Sequence, residues 1–102
     1  MKDLFISSIL SDEYAGKTVT VKGWVYRIRT QKSLVFIVLR DSTGTIQAVV
    51  SRNRIGESTW ALATELYQES SVEITGTVKE DERAPTGYEL RVEALTGVIG
   101  EP

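Results

Sequence analysis

The 102-residue chain contains no cysteine and no histidine. The first absence excludes disulfides, thiolate catalysis and cysteine-ligated zinc. The second removes the commonest general base and the commonest ligand of catalytic zinc. A self-contained hydrolase is hard to build from the Asp, Glu, Lys, Ser and Tyr that remain. Two prolines are too few to interrupt regular structure, and 41% hydrophobic with 25% charged residues are globular proportions, not disordered ones. No apolar run approaches the roughly 18 residues of a membrane span. The N-terminal MKDLFISSIL carries Asp3 and lacks a small-residue cleavage site. These features predict a single mature cytoplasmic domain over residues 1–102, able to bury about two-thirds of its unfolded surface.

The net charge of −2 argues against a uniformly basic nucleic-acid binder, but the charge is unevenly distributed. Residues 1–54 carry +5 and residues 55–102 carry −7. No acidic residue lies between Tyr14 and Arg40, a stretch holding Lys17, Lys22, Arg27, Arg29, Lys32 and Arg40. If those strands share a face, that face attracts phosphate despite the acidic total; otherwise the basic chains merely solubilise it.

Within the N-terminal segment 1–17, Ser11 to Gly16 reads as a short helical turn. From Thr18 to about Thr30 the residues Val19, Val21, Gly23 and Val25 alternate with Thr20, Lys22, Trp24 and Tyr26, a long strand. Gly23 suggests a bulge or sharp coil where that strand bends to serve two sheets. Leu34 to Arg40 and Thr45 to Ser51 read as a hairpin around Asp41-Ser42-Thr43-Gly44, with Gly44 supplying a positive φ. Val35, Ile37 and Leu39 oppose Leu34, Phe36, Val38 and Arg40; Ile46, Ala48 and Val50 oppose Gln47 and Val49. Phe36, Arg40 and Gln47 therefore share the solvent side. Glu57 to Glu69 is the one good helix, with Trp60, Ala63, Leu66 and Tyr67 as its core stripe. A fourth strand carries Val72, Ile74, Gly76 and Val78, Lys79 to Gly87 forms a loop, and a fifth strand starts at Tyr88 with Leu90 and Val92 inward. This order predicts an all-β fold with one helix: a five-stranded Greek-key OB barrel with the helix between strands 3 and 4.

OB barrels bind oligonucleotides or oligosaccharides across strands 2 and 3 and the flanking loops. An exposed phenyl ring at Phe36 is a stacking platform, Gln47 offers a donor and an acceptor to a base edge, and Arg29 and Lys32 suit phosphates. Rival readings stand beside these. Cover by the N-terminal segment is a rival for Phe36, and Trp24 and Tyr26 read as barrel-wall or edge residues rather than base stackers. The Glu80-Asp81-Glu82 cluster is either solvated or a divalent-ion site.

The stretch GWVYRIRTQKSLVFIVLRDSTGTIQAVV resembles the N-terminal anticodon-binding OB domain of the class IIb aminoacyl-tRNA synthetases, those for aspartate, asparagine and lysine. Its GWV, its Phe followed four residues later by Arg-Asp, its turn glycine and its Ile-Gln carry the likeness. ESSVEITGTVKEDERAPTGYELRVEAL is most similar to the archaeal type of asparaginyl-tRNA synthetase, with the aspartyl enzymes next. The resemblance implies that Phe36 stacks on the central anticodon uridine and Gln47 hydrogen-bonds to it. It also implies that Arg29, or failing that Arg27, contacts the anticodon from the end of the first strand. Lys79, Glu82, Glu89 and Arg91 become candidates for the outer anticodon bases. Many members have a glycine before the second strand where this chain reads Thr30-Gln31-Lys32-Ser33. The implied partner is the anticodon stem-loop of the asparagine tRNA, or that of aspartate, bound by a monomeric domain of a homodimeric parent. No cofactor or metal is expected in this domain and the chain alone should catalyse nothing; ATP and Mg2+ belong to a catalytic domain, with residues 100–102 beginning the linker to it. Two other classes stay open: a general single-strand binder, and an assembly module docking through Phe36, Val38 and Val49. A Ca2+-dependent barrel nuclease is the enzymatic alternative.

Overall fold

The computed structural model describes residues 5–98; the expected linker start at 100–102 lies outside them. Seven elements follow in order: α1 (Ile6–Ile9), β1 (Thr18–Gln31), β2 (Leu34–Asp41), β3 (Gly44–Ser51), α2 (Glu57–Glu65), β4 (Ser71–Glu80) and β5 (Tyr88–Val98). The strands close into a barrel in the order β1-β2-β3-β5-β4. All pairings are antiparallel except β3 with β5, which run parallel over Gln47 to Val49 against Glu89 to Arg91. This is the five-stranded OB architecture, with its main helix between strands 3 and 4.

β1 belongs to both halves of the barrel. Thr18 to Trp24 pair with β4, and Trp24 to Gln31 pair with β2. Between Val25 and Arg27 the register shifts by one, leaving Tyr26 as the extra residue of a β-bulge. The bend is thus at Tyr26, three residues beyond the glycine that suggested it. Gly23 serves another need: a Cβ there would run into the carbonyl oxygen of Arg40, and one at Gly76 into that of Arg91. Backbone cannot yield as a flexible side chain would, so these two positions permit the close strand crossings of a small barrel.

Inward-facing Val21, Val25, Val35, Ile37, Leu39, Ile46, Val50, Val72, Ile74 and Leu90 fill the interior, each fully buried. Trp60 and Ala63 of α2, which packs on β3 and β5, add to this core, as do Ile6 and Ile9 of α1. The N-terminal helix is therefore Ile6–Ile9. The Ser11–Gly16 segment is a run of turns, with the Tyr14 and Ala15 N–H groups donating to the carbonyls of Ser11 and Asp12.

α2 ends four residues earlier than the apolar spacing suggests. Leu66 is already extended, Glu69 takes a positive φ of 77°, and Tyr67 is 65% exposed instead of buried. Unpaired backbone at the bulge explains the early stop. The Glu69 N–H donates to the Val25 carbonyl at 2.7 Å, and the Val25 N–H donates to the Ser70 carbonyl at 2.8 Å. A helix continued to Glu69 would leave both buried strand groups without partners.

The β2–β3 turn also departs from expectation, since Gly44 has no positive φ. Asp41 organises it instead. Its Oδ1 accepts from the Thr43 N–H (2.7 Å), the Thr43 hydroxyl (2.6 Å) and the Gly44 N–H (3.1 Å), while Oδ2 accepts from the Ile6 N–H at 2.8 Å. One carboxylate thereby builds the hairpin turn and anchors α1 on it. Burial opposes the Asp41 charge, but the bonds from Thr43, Ile6 and Gly44 outweigh it and hold the pKa below the ordinary carboxylate value.

Asp41→Ala is expected to lower stability by about 1–3 kcal/mol, because buried donors lose their acceptor. A folded pKa below the unfolded one, about 3.9, gives stability that is complete above that value and is lost as pH falls through the folded value. Urea melts should therefore show the gap between wild type and Asp41→Ala narrowing from about pH 6 to about pH 3. A gap independent of pH would show that the carboxylate charge is not what holds the turn.

Candidate nucleic-acid interface

Because side chains of paired residues share a face, the strand registers place the sequence candidates in two rows across the outside of the barrel. One row runs Arg27 (β1), Val38 (β2), Gln47 (β3), Glu89 (β5) and Lys79 (β4). The other runs Arg29, Phe36, Val49, Arg91 and Thr77. Residues scattered from position 27 to position 91 thus become cross-strand neighbours.

The bulge makes this possible. Before it, the odd-numbered residues Val19, Val21 and Val25 point inward; after it, Ile28 does, paired with buried Ile37. Without the extra residue, Arg27 and Arg29 would continue the inward series and meet the core.

An open cleft of about 750 Å³ lies over this face. Its sheet side is formed by Arg27, Ile28, Arg29, Phe36, Val38 and Gln47, and its other side by Leu66, Tyr67 and Gln68. The Arg29 guanidinium stands 4.7 Å from the centroid of the half-buried Phe36 ring. A base stacking on that ring either takes the opposite face or displaces the guanidinium, and in both cases Arg29 remains near the base edge or its phosphate. The described part of the N-terminal segment does not cover Phe36. It docks on the β2–β3 turn through Asp41 and through Thr43, whose hydroxyl accepts from the Ser7 N–H at 3.0 Å. Tyr26 and Trp24 lie outside the cleft lining; Tyr26 is flanked by Arg27 and Arg40, 5.5 and 5.3 Å from its ring.

Two further hollows continue along β5. The smaller, about 230 Å³, is bordered by Val49, Ser51, Arg54, Glu89 and Arg91. Glu89 is 8% exposed, and its Oε2 accepts from Arg91 Nε at 3.1 Å. The third, about 700 Å³, lies on the β4–β5 loop and includes Glu80, Glu82, Arg83 and again Arg91. Lys79 borders none of the three, and Lys32 stands at the tip of the β1–β2 turn with a φ of 54°. That is the left-handed conformation glycine adopts most easily.

Not all the basic residues converge. Arg27, Arg29 and Arg40 share the β1–β2 face, whereas Lys22 is paired with Glu73 on the β1–β4 side. The acidic loop residues Glu80, Asp81 and Glu82 border one hollow. Asp81 accepts from the Arg83 N–H and guanidinium, bonds that lower its pKa, and among the described residues no three metal-ligating side chains converge. Tyr67, expected in the core stripe of the helix, borders the cleft instead, and Gln68 and Arg54 border the hollows without having been singled out by the sequence. The polar run Gln68-Glu69-Ser70-Ser71 was the only local sign that the helix stops short.

A family model described as an OB-fold nucleic acid binding domain, the tRNA anticodon family, matches residues 19–97. The chain belongs to that family. Its relatives include an asparagine–tRNA ligase from Chloroflexus aurantiacus, 52% identical over 80% of this chain and 19% of the relative. The asparaginyl-tRNA synthetase structure from Pyrococcus horikoshii superposes with a TM-score of 0.89 and 42% identity, over 96% of this chain and 22% of that one. An aspartyl-tRNA synthetase from Entamoeba histolytica gives a TM-score of 0.82 and 28% identity, over 100% of this chain and 22% of that one. Within that family the chain is similar to asparaginyl-tRNA synthetases, with aspartyl enzymes as neighbours. It spans about a fifth of the length of these relatives.

The start of β5, which leads into Glu89 and Arg91, is tied to the N-terminal turns. The Tyr88 hydroxyl donates to Asp12 Oδ1 at 2.7 Å. That bond, some burial and the charges of Asp12 and Glu80 push the Tyr88 pKa up to about 12. In an ultraviolet titration, one of the four tyrosines should stay protonated well above the ordinary pKa of about 10, and Asp12→Asn should return it toward that value. Identical titration curves would show that Asp12 does not hold Tyr88.

Proposed function

We propose that this chain reads the anticodon loop of a tRNA, that of asparagine or the closely related one of aspartate, as the recognition domain of an enzyme that ligates asparagine to tRNA using ATP. What carries the reading is one juxtaposition: an aromatic ring under an arginine, with a glutamine in the adjacent row, opening into one cleft on the sheet face. Phe36 stacks on the central uridine and Gln47 hydrogen-bonds its edge. Arg29 and Arg27 neutralise phosphate or meet the base, and Lys32 at the turn tip adds a mobile charge.

The hollows along β5 suggest where a further anticodon base goes. Glu89 faces Gln47 across the β3–β5 pairing and is an acceptor for a base amino group; Arg91 separates its hollow from that of Glu82. A base splayed from the loop beyond the central uridine would reach these hollows along β5. Aminoacylation, ATP, Mg2+ and dimerisation belong on this reading to the remaining length of the synthetases, and the cytoplasm is where such an enzyme works. Among the described residues no helix is long and apolar enough to cross a membrane.

The test is a titration of the chain with an asparagine anticodon stem-loop and with the same loop altered only at its central uridine. Phe36→Ala should weaken binding of the first by about 1–3 kcal/mol with the fold retained. Unchanged affinity would sink the Phe36 assignment, and equal binding to both loops would favour a general single-strand binder. For Arg29→Ala the slope of log affinity against log salt should fall by about 0.7–1, the loss of one phosphate contact. An identical slope would remove Arg29 as a phosphate ligand.

A further inference from the structure

The β1 bulge fixes where Tyr67 lies, but core packing does not require its ring. The residue is 65% exposed, yet its backbone is tightly held. The Tyr67 N–H donates to the Ser70 hydroxyl at 3.1 Å and its carbonyl accepts from the Ser70 N–H at 3.0 Å, while Glu69 and Ser70 are bonded to Val25 at the β1 bulge. Next to it, Gln68 Nε2 donates to the Tyr26 carbonyl at 3.0 Å. A lone exposed aromatic on a loose loop would need no explanation. This one sits on a fixed backbone, on the side of the cleft away from the sheet wall that carries Phe36 and Gln47.

We propose that Tyr67 is a second stacking platform, so that the cleft holds two nucleotides: the one on Phe36 and a loop nucleotide next to it, stacked on Tyr67, with Gln68 fixing the wall. The proposal rests on the RNA reading above and extends it to a second base. Its chemistry is general, because every base has a π-face and a phenol ring presents the same flat surface as a phenyl ring. The fixed backbone matters as well, since a platform already in place loses little freedom when the base arrives.

The experiment uses the whole chain and an asparagine anticodon stem-loop carrying 2-aminopurine in turn at each of the two nucleotides flanking the central uridine. In wild type one of the two should be quenched on binding. Tyr67→Ala should restore that fluorescence and weaken binding about five- to hundredfold, the worth of one stacked base, while Tyr67→Phe should behave as wild type. Thermal melting of Tyr67→Ala should match wild type, because the ring lies outside the core; if it does not, Tyr67→Phe and the quenching pattern still decide. If Phe36→Ala weakens binding but Tyr67→Ala leaves affinity and quenching unchanged, the second platform is wrong and the RNA reading stands. If Tyr67→Phe loses as much as Tyr67→Ala, the hydroxyl acts and not the ring, which also overturns it. A wild-type chain that binds neither loop removes both.

Discussion

One extra residue in β1 is the constraint on which the rest of this structure depends. A strand that pairs with β4 over its first half and with β2 over its second must bend, and the bulge at Tyr26 supplies the bend. The same insertion reverses which residues face inward, so Val25 and Ile28 both face the barrel interior while Arg27 and Arg29 face out. It also leaves the Val25 N–H and C=O in need of partners, which Ser70 and Glu69 supply. That requirement ends α2 at Glu65 and carries the chain back along β1, bringing Leu66, Tyr67 and Gln68 to the edge of the cleft. Barrel closure, arginine placement and the second cleft wall are thus consequences of a single backbone irregularity.

The outer face meets a difficulty common to binding surfaces: a ring exposed enough to stack on a ligand is exposed to water in its absence. Here the Arg29 guanidinium lies over Phe36, and such a contact contributes about 0.5–1 kcal/mol at an exposed site. That is smaller than the roughly 1–3 kcal/mol of a stacked base, so a base can replace the guanidinium at a net gain. The arginine then stays beside the ligand, where its charge acts on phosphate. Overall charge is a poor guide in such a molecule. A net −2 coexists with a β1–β2 face carrying Arg27, Arg29 and Arg40, and at physiological salt a phosphate responds mainly to charges within about 8 Å and not to the total.

What the sequence made legible was whatever depends on alternation within a strand. The opposed faces of β2 and β3 follow from Val35, Ile37 and Leu39 against Phe36 and Val38, and from Ile46, Ala48 and Val50 against Gln47 and Val49; the burial pattern agrees. What depends on a distant partner was not legible. Tyr67 continues a helical period with Trp60 and Ala63, and only the hydrogen-bonding needs of Val25, more than forty residues away, remove it from the helix. Gly44 sits where a left-handed residue is common in hairpins, but the Asp41 carboxylate satisfies the turn's donors and makes that conformation unnecessary. The short α1 is too small for a periodic signal and exists because Ile6 reaches both the core and Asp41. Of the candidate site, the Phe36–Gln47 pairing of rows could be read from parity. The tyrosine across the cleft could not.

Glu89 shows how a fold of this kind separates stability from recognition. A carboxylate with 8% exposure gains little from being on the outer face unless it is paired, and Arg91 two residues along the same strand provides the partner. Swapping such a pair for apolar residues is often neutral or stabilising, so stability alone is a weak reason for its presence. Barrels that share only 18% identity with this chain superpose on it with a TM-score of 0.80, which means the architecture tolerates nearly complete replacement of its sequence. Closure demands a bulge, two glycines where carbonyls pass close, and an apolar interior. It places no demand on which groups stand at the outward positions of β1, β2, β3 and β5. A buried acidic group beside Gln47, an arginine over a phenyl ring and a tyrosine on a braced turn are therefore features that closure leaves unexplained, and on the proposed reading a ligand with flat faces, hydrogen-bonding edges and a phosphate backbone accounts for all three.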